Sequence, residues 1–404
     1  MEFKTLDDFE VEGKTVFVRV DINSPIDPDT GEILDDNRIQ KCSETLKELS
    51  KKNAKTVVIA HQGRPGDEDF TTLEKHADKM SQVLNTEVNY IDDLFGPAAR
   101  ETISDLENGN ILLLENARFY SEEVINRPPE RQAKTHFVRK LSPLGDLFVN
   151  DAFAAAHRSQ PSLVGFGVKL PAAAGRLMET ELRELSKALD PEHPCIHVLG
   201  GAKVDDSLSL IDHVLKKRLA DKILTGGLVG QVLLAGNSID LGEPNFEIIK
   251  NKGYEKEIKR GEELISNYDD QILVPSDVRI EAEEGKPENI SVENLPTANP
   301  VYDIGDETIE RYIEEIKKAK TVIANGPLGV FEKPAFAKGT NEVLKAISGA
   351  EAFTTIGGGH LVAAARDLKI ANEINHVSTG GGACLNFLSG EKLPVIEMLK
   401  KTSE

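Results

Sequence analysis

A repeating rhythm runs through this chain and limits the folds open to it. Short apolar runs rich in Val, Ile and Leu alternate with longer stretches of helical periodicity, the pattern of βα units around a parallel sheet. In the first half the runs fall at 15–20 (TVFVRV), 55–60 (KTVVIA), 111–115 (ILLLE) and 146–150 (DLFVN). In the second half they fall at 195–199, 221–225, 271–275, 320–324, 352–356 and 373–378. The length of 404 residues fits two or three domains at roughly 150 residues each. The expected fold is α/β: two doubly wound parallel-sheet (Rossmann-like) domains, separated by a cleft and joined by a helix.

That joining helix is placed at 175–190, where Met178, Leu182, Leu185 and Leu189 form one apolar stripe at helical spacing. The same pattern also describes an ordinary surface helix. Its position between the two sets of strands makes the interdomain reading an equal alternative. The expected division is 1–174 plus the tail 388–404, the helix 175–190, and 191–387. In the tail, Pro394 stands near the start of a short apolar helix. Residues 281–299 are charged and contain Pro, and are expected to form a solvated loop or hairpin.

Composition removes several function classes. A formal charge of −20 argues against a general nucleic-acid binder, which needs a basic face. No window approaches a transmembrane run. The first residues, Met1 to Asp8, lack the basic start and apolar stretch of a signal peptide, so a cytoplasmic location is expected. Cys42, Cys195 and Cys384 lie far apart, with neither metal-ligand spacing nor a disulfide framework, which fits a reducing compartment.

In an acidic protein that binds anions, the placement of the arginines matters. Ligands of open parallel sheets bind outside the carboxyl ends of the strands. The first-half strands lead into Arg19-Val20-Asp21-Ile22-Asn23, His61-Gln62-Gly63-Arg64, Asn116-Ala117-Arg118, and Asp151 onward to His157-Arg158, with Arg38 following in Asp36-Asn37-Arg38-Ile39. Arg38, His61, Arg64, Arg118 and Arg158 can converge on one crevice, and guanidinium forks match carboxylate and phosphate oxygens. A small, doubly anionic guest suits such a set. Any one arginine alone reads more readily as a surface ion pair, and Arg19, one residue inside its strand, also reads as structural. Asp21 and Asn23 suit hydroxyl recognition, although such residues often only close turns.

The second-half strands end differently. There follow Gly200-Gly201-Ala202-Lys203, Gly226-Gly227, Asn325-Gly326-Pro327-Leu328-Gly329, Gly357-Gly358-Gly359 and Ser378-Thr379-Gly380-Gly381-Gly382. Glycine lets backbone N–H groups approach an anion, and a following helix adds its positive end. Several such loops at one sheet edge describe a nucleotide site, with Lys203 as the cation within them. Neither a Walker GxxxxGK[ST] nor a GxGxxG fingerprint is present. One half arranged for a small anion and the other for a nucleotide fit phosphoryl transfer, which needs positioning, charge neutralisation and exclusion of water.

These motifs, in this order along essentially the whole chain, resemble those of the phosphoglycerate kinase family. The matches include Arg19 to Pro25, Asp36 to Ile39, His61 to Pro65, Glu115 to Phe119, Val149 to Phe153 and Ala156 to Arg158. In the second half they are Gly200 to Val204, Asn325 to Glu332, and His376 to Ala383. The resemblance implies reversible phosphoryl transfer between 1,3-bisphosphoglycerate and MgADP, giving 3-phosphoglycerate and MgATP, without nucleic-acid or membrane partners. It implies that Asp21, Asn23, Arg38, His61, Arg64, Arg118 and Arg158 bind 3-phosphoglycerate, and that Arg38 and Lys203 carry the catalysis. Gly201, Gly227, Pro327 and Val330 would line the adenine pocket, and Glu332 would bond the ribose. Ala202, Asn325, Gly357, Gly358, Gly359, Gly380, Gly381 and Gly382 would approach the nucleotide. A hinge near 175–190, a first domain completed by the C-terminal tail, and a monomer are also implied.

Two departures bear on the site. The family usually carries a second lysine four residues after Lys203, where this chain has Ser207, and GGGD, where this chain reads Gly357-Gly358-Gly359-His360. Together they remove one positive and one negative charge, and both resemble the archaeal branch. Mg²⁺ prefers oxygen ligands, so the expected metal is held mainly by phosphates and water, with Asp205, Asp206 or Asp277 as possible helpers and no protein ligand assigned. Two competing readings stand beside the kinase: a silent phosphate-binding scaffold, and a kinase for another small phosphorylated acid.

Overall fold

A computed structural model describes residues 3–283 and 285–402. It divides into two compact units, Met1–Arg183 with Lys392–Glu404, and Glu184–Glu391.

The first unit is built on six parallel strands: β1 (Thr15–Val20), β2 (Lys55–Ile59), β3 (Val88–Ile91), β4 (Ile111–Leu114), β5 (Leu147–Asp151) and β6 (Ala172–Ala174), in the order β3-β4-β2-β1-β5-β6. Its helices are α1 (Asn37–Lys51), α2 (Glu74–Leu84), α3 (Pro97–Ser104), the single turn α4 (Pro129–Gln132), α5 (His136–Leu141) and α6 (Arg176–Ser186), the last of which runs across the boundary between the units. Because both faces of the sheet are covered, β1 is an unbroken apolar run with Val16, Phe17, Val18 and Val20 wholly buried. Strand order reverses at β1, between β2 and β5, which makes the carboxyl ends of those strands the place where a ligand crevice forms.

The second unit has its own sheet of six strands, β15-β14-β13-β7-β8-β9. In chain order they are β7 (Cys195–Leu199), β8 (Lys222–Thr225), β9 (Ile272–Leu273), then, after a separate three-stranded sheet, β13 (Thr321–Asn325), β14 (Phe353–Gly357) and β15 (His376–Val377). The smaller sheet joins β10 (Asp277–Glu283), β11 (Lys286–Ser291) and β12 (Val301–Ile304) in antiparallel order. Helices α7 (Val204–Lys216), α8 (Gly227–Gly236), α9 (Glu243–Asn251), α10 (Glu255–Tyr268), α11 (Asp306–Lys318), α12 (Lys338–Ser348), α13 (Gly359–Asp367) and α14 (Gly381–Leu388) complete it. The tail helix α15 (Pro394–Lys401), opened by its proline, belongs to the first unit.

The doubly wound α/β expectation is borne out, and the differences are local. The β3 and β6 strands were not anticipated: β3 alternates Val-Asn-Tyr-Ile with only Val88 buried, and β6 is three alanines. The charged stretch 281–299 is the hairpin arm of the antiparallel sheet, where period-two patterning is masked by Glu and Lys. In the 175–190 segment Met178, Leu182 and Leu185 are buried, and the helix tightens into a 3₁₀ turn at Lys187–Leu189.

Candidate active site

The first unit's crevice is assembled by hydrogen bonds between the loops that follow its strands. After β1, Asp21 accepts the Asn23 amide at 3.1 Å, closing an Asx turn. Asn23 Oδ1 in turn accepts the Gly63 amide at 2.8 Å. The loops after β1 and β2 are tied reciprocally, since Gln62 Oε1 accepts the Ser24 amide and Gln62 Nε2 donates to the Ser24 carbonyl, each at 2.9 Å. Asn116, after β4, accepts the Arg118 amide at 3.0 Å and donates to the Gln62 carbonyl at 2.8 Å. Gly63 occupies a left-handed conformation (φ +64°), and a Cβ there would lie 2.7 Å from the Phe70 backbone.

On this frame sit five arginines. Arg19 is 1% exposed and donates from Nε to Ser162 Oγ at 2.8 Å and from a terminal nitrogen to the Val20 carbonyl. Its other terminal nitrogen lies 2.8 Å from His61 Nδ1. Guanidinium is donor-only, so Nδ1 accepts and the proton of the neutral ring is on Nε2. Burial, with Arg19 next, pushes the His61 imidazolium far below its ordinary range, so the ring stays neutral. Arg38, in the first turn of α1, donates to Asp21 Oδ2 at 2.6 Å. Burial raises the Asp21 carboxyl, but the Arg38 and Arg19 guanidiniums and the Asn23 amide outweigh it and hold the group well below the usual carboxylate range.

Arg118 donates to the Gly63 carbonyl and is 6% exposed. Burial, then the charges of Arg158, Arg19 and Arg64, lower it to about 10. Arg158 is lowered by burial and by Arg64 and Arg38, with Asp21 opposing. These mutual repulsions put Arg19, Arg38, Arg64, Arg118 and Arg158 in one electrostatic neighbourhood, against the carboxylates of Asp21 and Glu123. Arg64 is exposed on its loop.

Sequence reading missed what orients Arg19. Glu123, 1% exposed, accepts the Ser162 amide at 3.0 Å and the Ser162 hydroxyl, giving a relay Glu123–Ser162–Arg19–His61. Glu123 stands in an acidic run that reads as solvated surface, and nothing in the sequence separates it from its neighbour Glu122. The structural reading of Arg19 is the one its contacts support.

In the second unit the register Leu199–Asn325–Gly357 sets the ends of β7, β13 and β14 at one height. Strand order reverses between β7 and β13, so Gly200 and Gly326 flank the switch point. A cavity of about 200 Å³ opens there, lined by Gly200 to Lys203, Asn325 to Pro327, Gly358 to His360 and Gly381. Many of the glycine amides are engaged rather than free: Gly200 donates to Asn325 at 2.9 Å, Gly201 to Pro327 at 2.7 Å, Gly226 to Leu199 at 3.1 Å and Gly227 to Leu328 at 2.7 Å. These glycines permit close approach of backbone to backbone, since a Cβ on Gly200 or Gly326 would overlap the opposing loop. For these four glycines the tight-turn role is the one that their bonds show. The donors available are the first turns of α7, α13 and α14, whose amides have no intrahelical acceptor, together with Lys203 and Asn325. Asn325 Nδ2 is buried without a hydrogen-bond partner.

The remaining candidates lie apart from the cavity lining. Gly227 lines an adjoining chamber, Gly357 and Gly380 are buried, and Gly382 is the second residue of α14. Val330 donates its amide to the Tyr302 carbonyl at 2.7 Å. Glu332 is exposed, 3.8 Å from His360 Nδ1, and His360 packs against Phe331. Ser207 is buried on α7, its amide bonded to the Lys203 carbonyl. Asp277 accepts the Glu307 and Thr308 amides and so caps α11 instead of facing the cavity. Asp205 and Asp206 stand in the first turn of α7, and Asp206 is raised by burial and by Asp205. Among the described residues no three His, Cys, Asp or Glu side chains form a metal cluster.

Comparison with known proteins agrees on one family. The family described as phosphoglycerate kinase matches residues 6–391. The phosphoglycerate kinase of Methanobacterium bryantii is 54% identical, over 99% of this chain and 97% of the relative. That of Sulfurisphaera tokodaii is 46% identical, over 99% and 96%. The solved phosphoglycerate kinase of Pyrococcus horikoshii superposes with a TM-score of 0.93 at 44% identity, over 99% of both chains. The Coxiella burnetii structure superposes at 0.82 with 28% identity, over the whole of both.

Proposed function

The chain belongs to the phosphoglycerate kinase family, and from that premise we propose how its two half-sites divide the reaction. The activity itself is that of the family: phosphotransfer to a carboxyl acceptor, in glycolysis or gluconeogenesis. The first-unit cluster takes 3-phosphoglycerate, with Arg64, Arg118 and Arg158 on its charged groups, Asp21 and Asn23 on its hydroxyl, and His61 offering a neutral Nε2–H. The observation that carries this assignment is geometric: the loops after β1, β2 and β4 are bonded to one another and hold Arg38 on Asp21 and Arg118 on the Gly63 carbonyl. Burial, and then the neighbouring arginines, lower Arg118 and Arg158, and a multiply charged anion entering among these guanidiniums relieves that cost.

Arg38 stands apart in role. It is paired with Asp21 yet partly exposed, so it can reach from that pair to the equatorial oxygens of the moving phosphoryl group. Lys203 meets the same group from the nucleotide side. Asn325 and the first turns of α13 and α14 hold the phosphates. In-line transfer demands that groups of both half-sites engage one phosphoryl group with water excluded. No side chain acts as a nucleophile.

Magnesium comes with the nucleotide in this family. The oxygen donors in reach of the α7 terminus, Asp205 and Asp206, fit an ion carried largely by phosphates. When bound, such an ion neutralises phosphate charge and orients the transferring group. We further propose a cytoplasmic, monomeric enzyme. No helix among the described residues is long and apolar enough to cross a membrane.

The test is ATP-dependent phosphorylation of 3-phosphoglycerate, coupled to NADH oxidation, with and without Mg²⁺. Metal-dependent turnover above about 1 per second is expected. Binding of both ligands without turnover would replace the reading with a silent scaffold.

A further inference from the structure

Glu123 is a buried carboxylate, 1% exposed, that the transfer chemistry leaves unused. It stands in a 3₁₀ turn after β4, Ser121–Val124. Both its oxygens accept from one residue: Oε2 takes the Ser162 amide at 3.0 Å, and Oε1 takes the Ser162 hydroxyl. Ser162 is itself wholly buried and comes from the turn Pro161–Gly165, after β5. Its Oγ accepts Nε of Arg19, on β1, at 2.8 Å. A terminal nitrogen of Arg19 lies 2.8 Å from Nδ1 of His61, which follows β2. Four segments at the carboxyl edge of the first sheet are thus joined by side chains in one line.

Each bond in that line has one allowed direction. Guanidinium only donates, so Ser162 Oγ accepts from Nε and sends its own proton to Glu123. At the other end Nδ1 must accept, which leaves the ring proton on Nε2. The charged groups around His61 are Arg19, Asp21, Arg118 and Arg158; burial and then Arg19 disfavour the imidazolium, with Asp21 opposing. Two charges present only to cancel each other would meet directly. Here Ser162 stands between them, and the terminal nitrogens of Arg19 are left for the Val20 carbonyl and His61. Buried opposite charges are in any case weak ground for stability. What the line does deliver is a fixed orientation at its last member.

We propose that Glu123 and Ser162 are positioning residues: through Arg19 they lock His61 in its Nε2–H form, so that the ring meets 3-phosphoglycerate as a hydrogen-bond donor. This role rests on the reading of the first unit as the 3-phosphoglycerate site, and adds the residues that hold one of its donors. Which nitrogen of an imidazole carries the proton is set by the bond that the other nitrogen makes. With the line cut, the proton passes between the two nitrogens and the substrate oxygen faces a lone pair for part of the time.

The experiment takes two readouts on the wild type, Ser162→Ala and Glu123→Gln. The first variant removes the acceptor of Arg19 Nε, and the second keeps the shape of Glu123 while turning one acceptor oxygen into a donor. Arg19→Lys, which keeps the charge but cannot span both partners, is a third. Nitrogen-15 NMR of histidine-labelled protein at pH 7, with His61 assigned by His61→Gln, shows which ring nitrogen is protonated. Steady-state kinetics gives KM for 3-phosphoglycerate and for ATP. Both readouts belong to the folded molecules, so a smaller folded fraction does not imitate the effect. The wild type is expected to show a neutral ring protonated on Nε2. In the variants the signals are expected to move toward mixed tautomers or imidazolium, and KM for 3-phosphoglycerate to rise about three- to tenfold, as for one lost hydrogen bond. KM for ATP is expected to stay within about twofold. A wild-type ring protonated on Nδ1, or an unaltered ring or an unaltered KM for 3-phosphoglycerate across the variants, overturns the lock. An equal rise for both substrates overturns it too, and makes Glu123 and Ser162 core residues only. A wild type that does not use 3-phosphoglycerate overturns the substrate reading itself, and the NMR then decides separately whether the line fixes His61.

Discussion

In the first unit the groups proposed to face a ligand are long charged side chains, of which Arg38, Arg118 and Arg158 are each held by another side chain or a loop carbonyl. In the second they are turns of backbone, held by other turns, with Lys203 and Asn325 projecting among them. Arg19 illustrates the first manner: its contacts to Ser162, Val20 and His61 leave it no freedom, and Glu123 holds Ser162 in turn. Gly201 and Gly227 illustrate the second: their amides bond to Pro327 and Leu328, and both take positive φ. The difference matches the guests proposed for the two units. A small acid presents separated charges that need several directed forks. A nucleotide presents a flat base and a chain of phosphates, which need close walls and helix ends. Loss of a side chain should therefore damage the first site most, and gain of one the second.

The largest expected effect is that of Arg38→Ala. Removing a donor aimed at developing charge costs about 2.7–4 kcal/mol in the barrier, so kcat should fall by roughly two to three orders of magnitude. The KM for ATP should stay within a few-fold, because Arg38 belongs to the other unit. Steady-state kinetics with each substrate varied in turn checks this, and equal losses in both quantities would remove Arg38 from the transferring group. Next in size is Lys203→Met. A charged hydrogen bond contributes about 1.5–3 kcal/mol, and here both kcat and ATP affinity should decline, by roughly ten- to a hundredfold. Loss confined to KM would make Lys203 a binding residue only.

Gly227→Ala sharpens the comparison from the other side. The residue is left-handed at φ +56°, and a Cβ would stand 2.8 Å from the Gly201 nitrogen and 3.0 Å from the Pro327 oxygen, both main-chain atoms that cannot swing aside. A strained position of this kind costs about 1–3 kcal/mol. ATP affinity should drop accordingly, while the dissociation constant for 3-phosphoglycerate, measured by calorimetry, stays unchanged. A matching loss for both ligands would mean that the alanine unsettles the protein generally.

How legible each site was in the sequence follows the same division. The arginines and their strand-end positions could be read directly, because charge at a strand's carboxyl end is a local pattern. The α/β winding was equally plain from the buried runs of β1, β2, β7 and β13. What could not be read was anything defined by a partner far along the chain. Glu123 and Ser162 are distant from Arg19 in sequence, so no local pattern joins them. The glycine loops misled in one respect, since glycine is equally suited to admitting a phosphate and to admitting another loop. For Gly200, Gly201, Gly226 and Gly227 the amides serve the second purpose. Asp277 looked available for a cation, but it caps α11 by way of residues about thirty positions later.

The smallest effect tests the contrast between carboxylates within the first unit. Asp21 faces cations and is held low, whereas Asp151, at the end of β5, faces the start of α6 and accepts the Met178 amide at 3.0 Å. Burial pushes Asp151 up from its ordinary 3.8 to about 6, against the opposing pull of the Thr45 hydroxyl and the α6 amides. A raised carboxyl binds its proton more tightly in the folded chain than in the unfolded one. Between about pH 4 and 6 folding therefore takes up a proton, and stability declines as pH rises through that window. Below it the penalty is absent, and above it the penalty is complete, at most roughly 2–3 kcal/mol by 1.36 kcal/mol per pH unit. Asp151→Asn keeps an oxygen for the Met178 amide and removes the charge. Its melting temperature relative to the wild type should climb from pH 4 to pH 7 and then level off. A difference that is flat with pH would mean that Asp151 is ionised at no net cost, and that the amides of α6 compensate its burial as fully as Arg38 compensates that of Asp21.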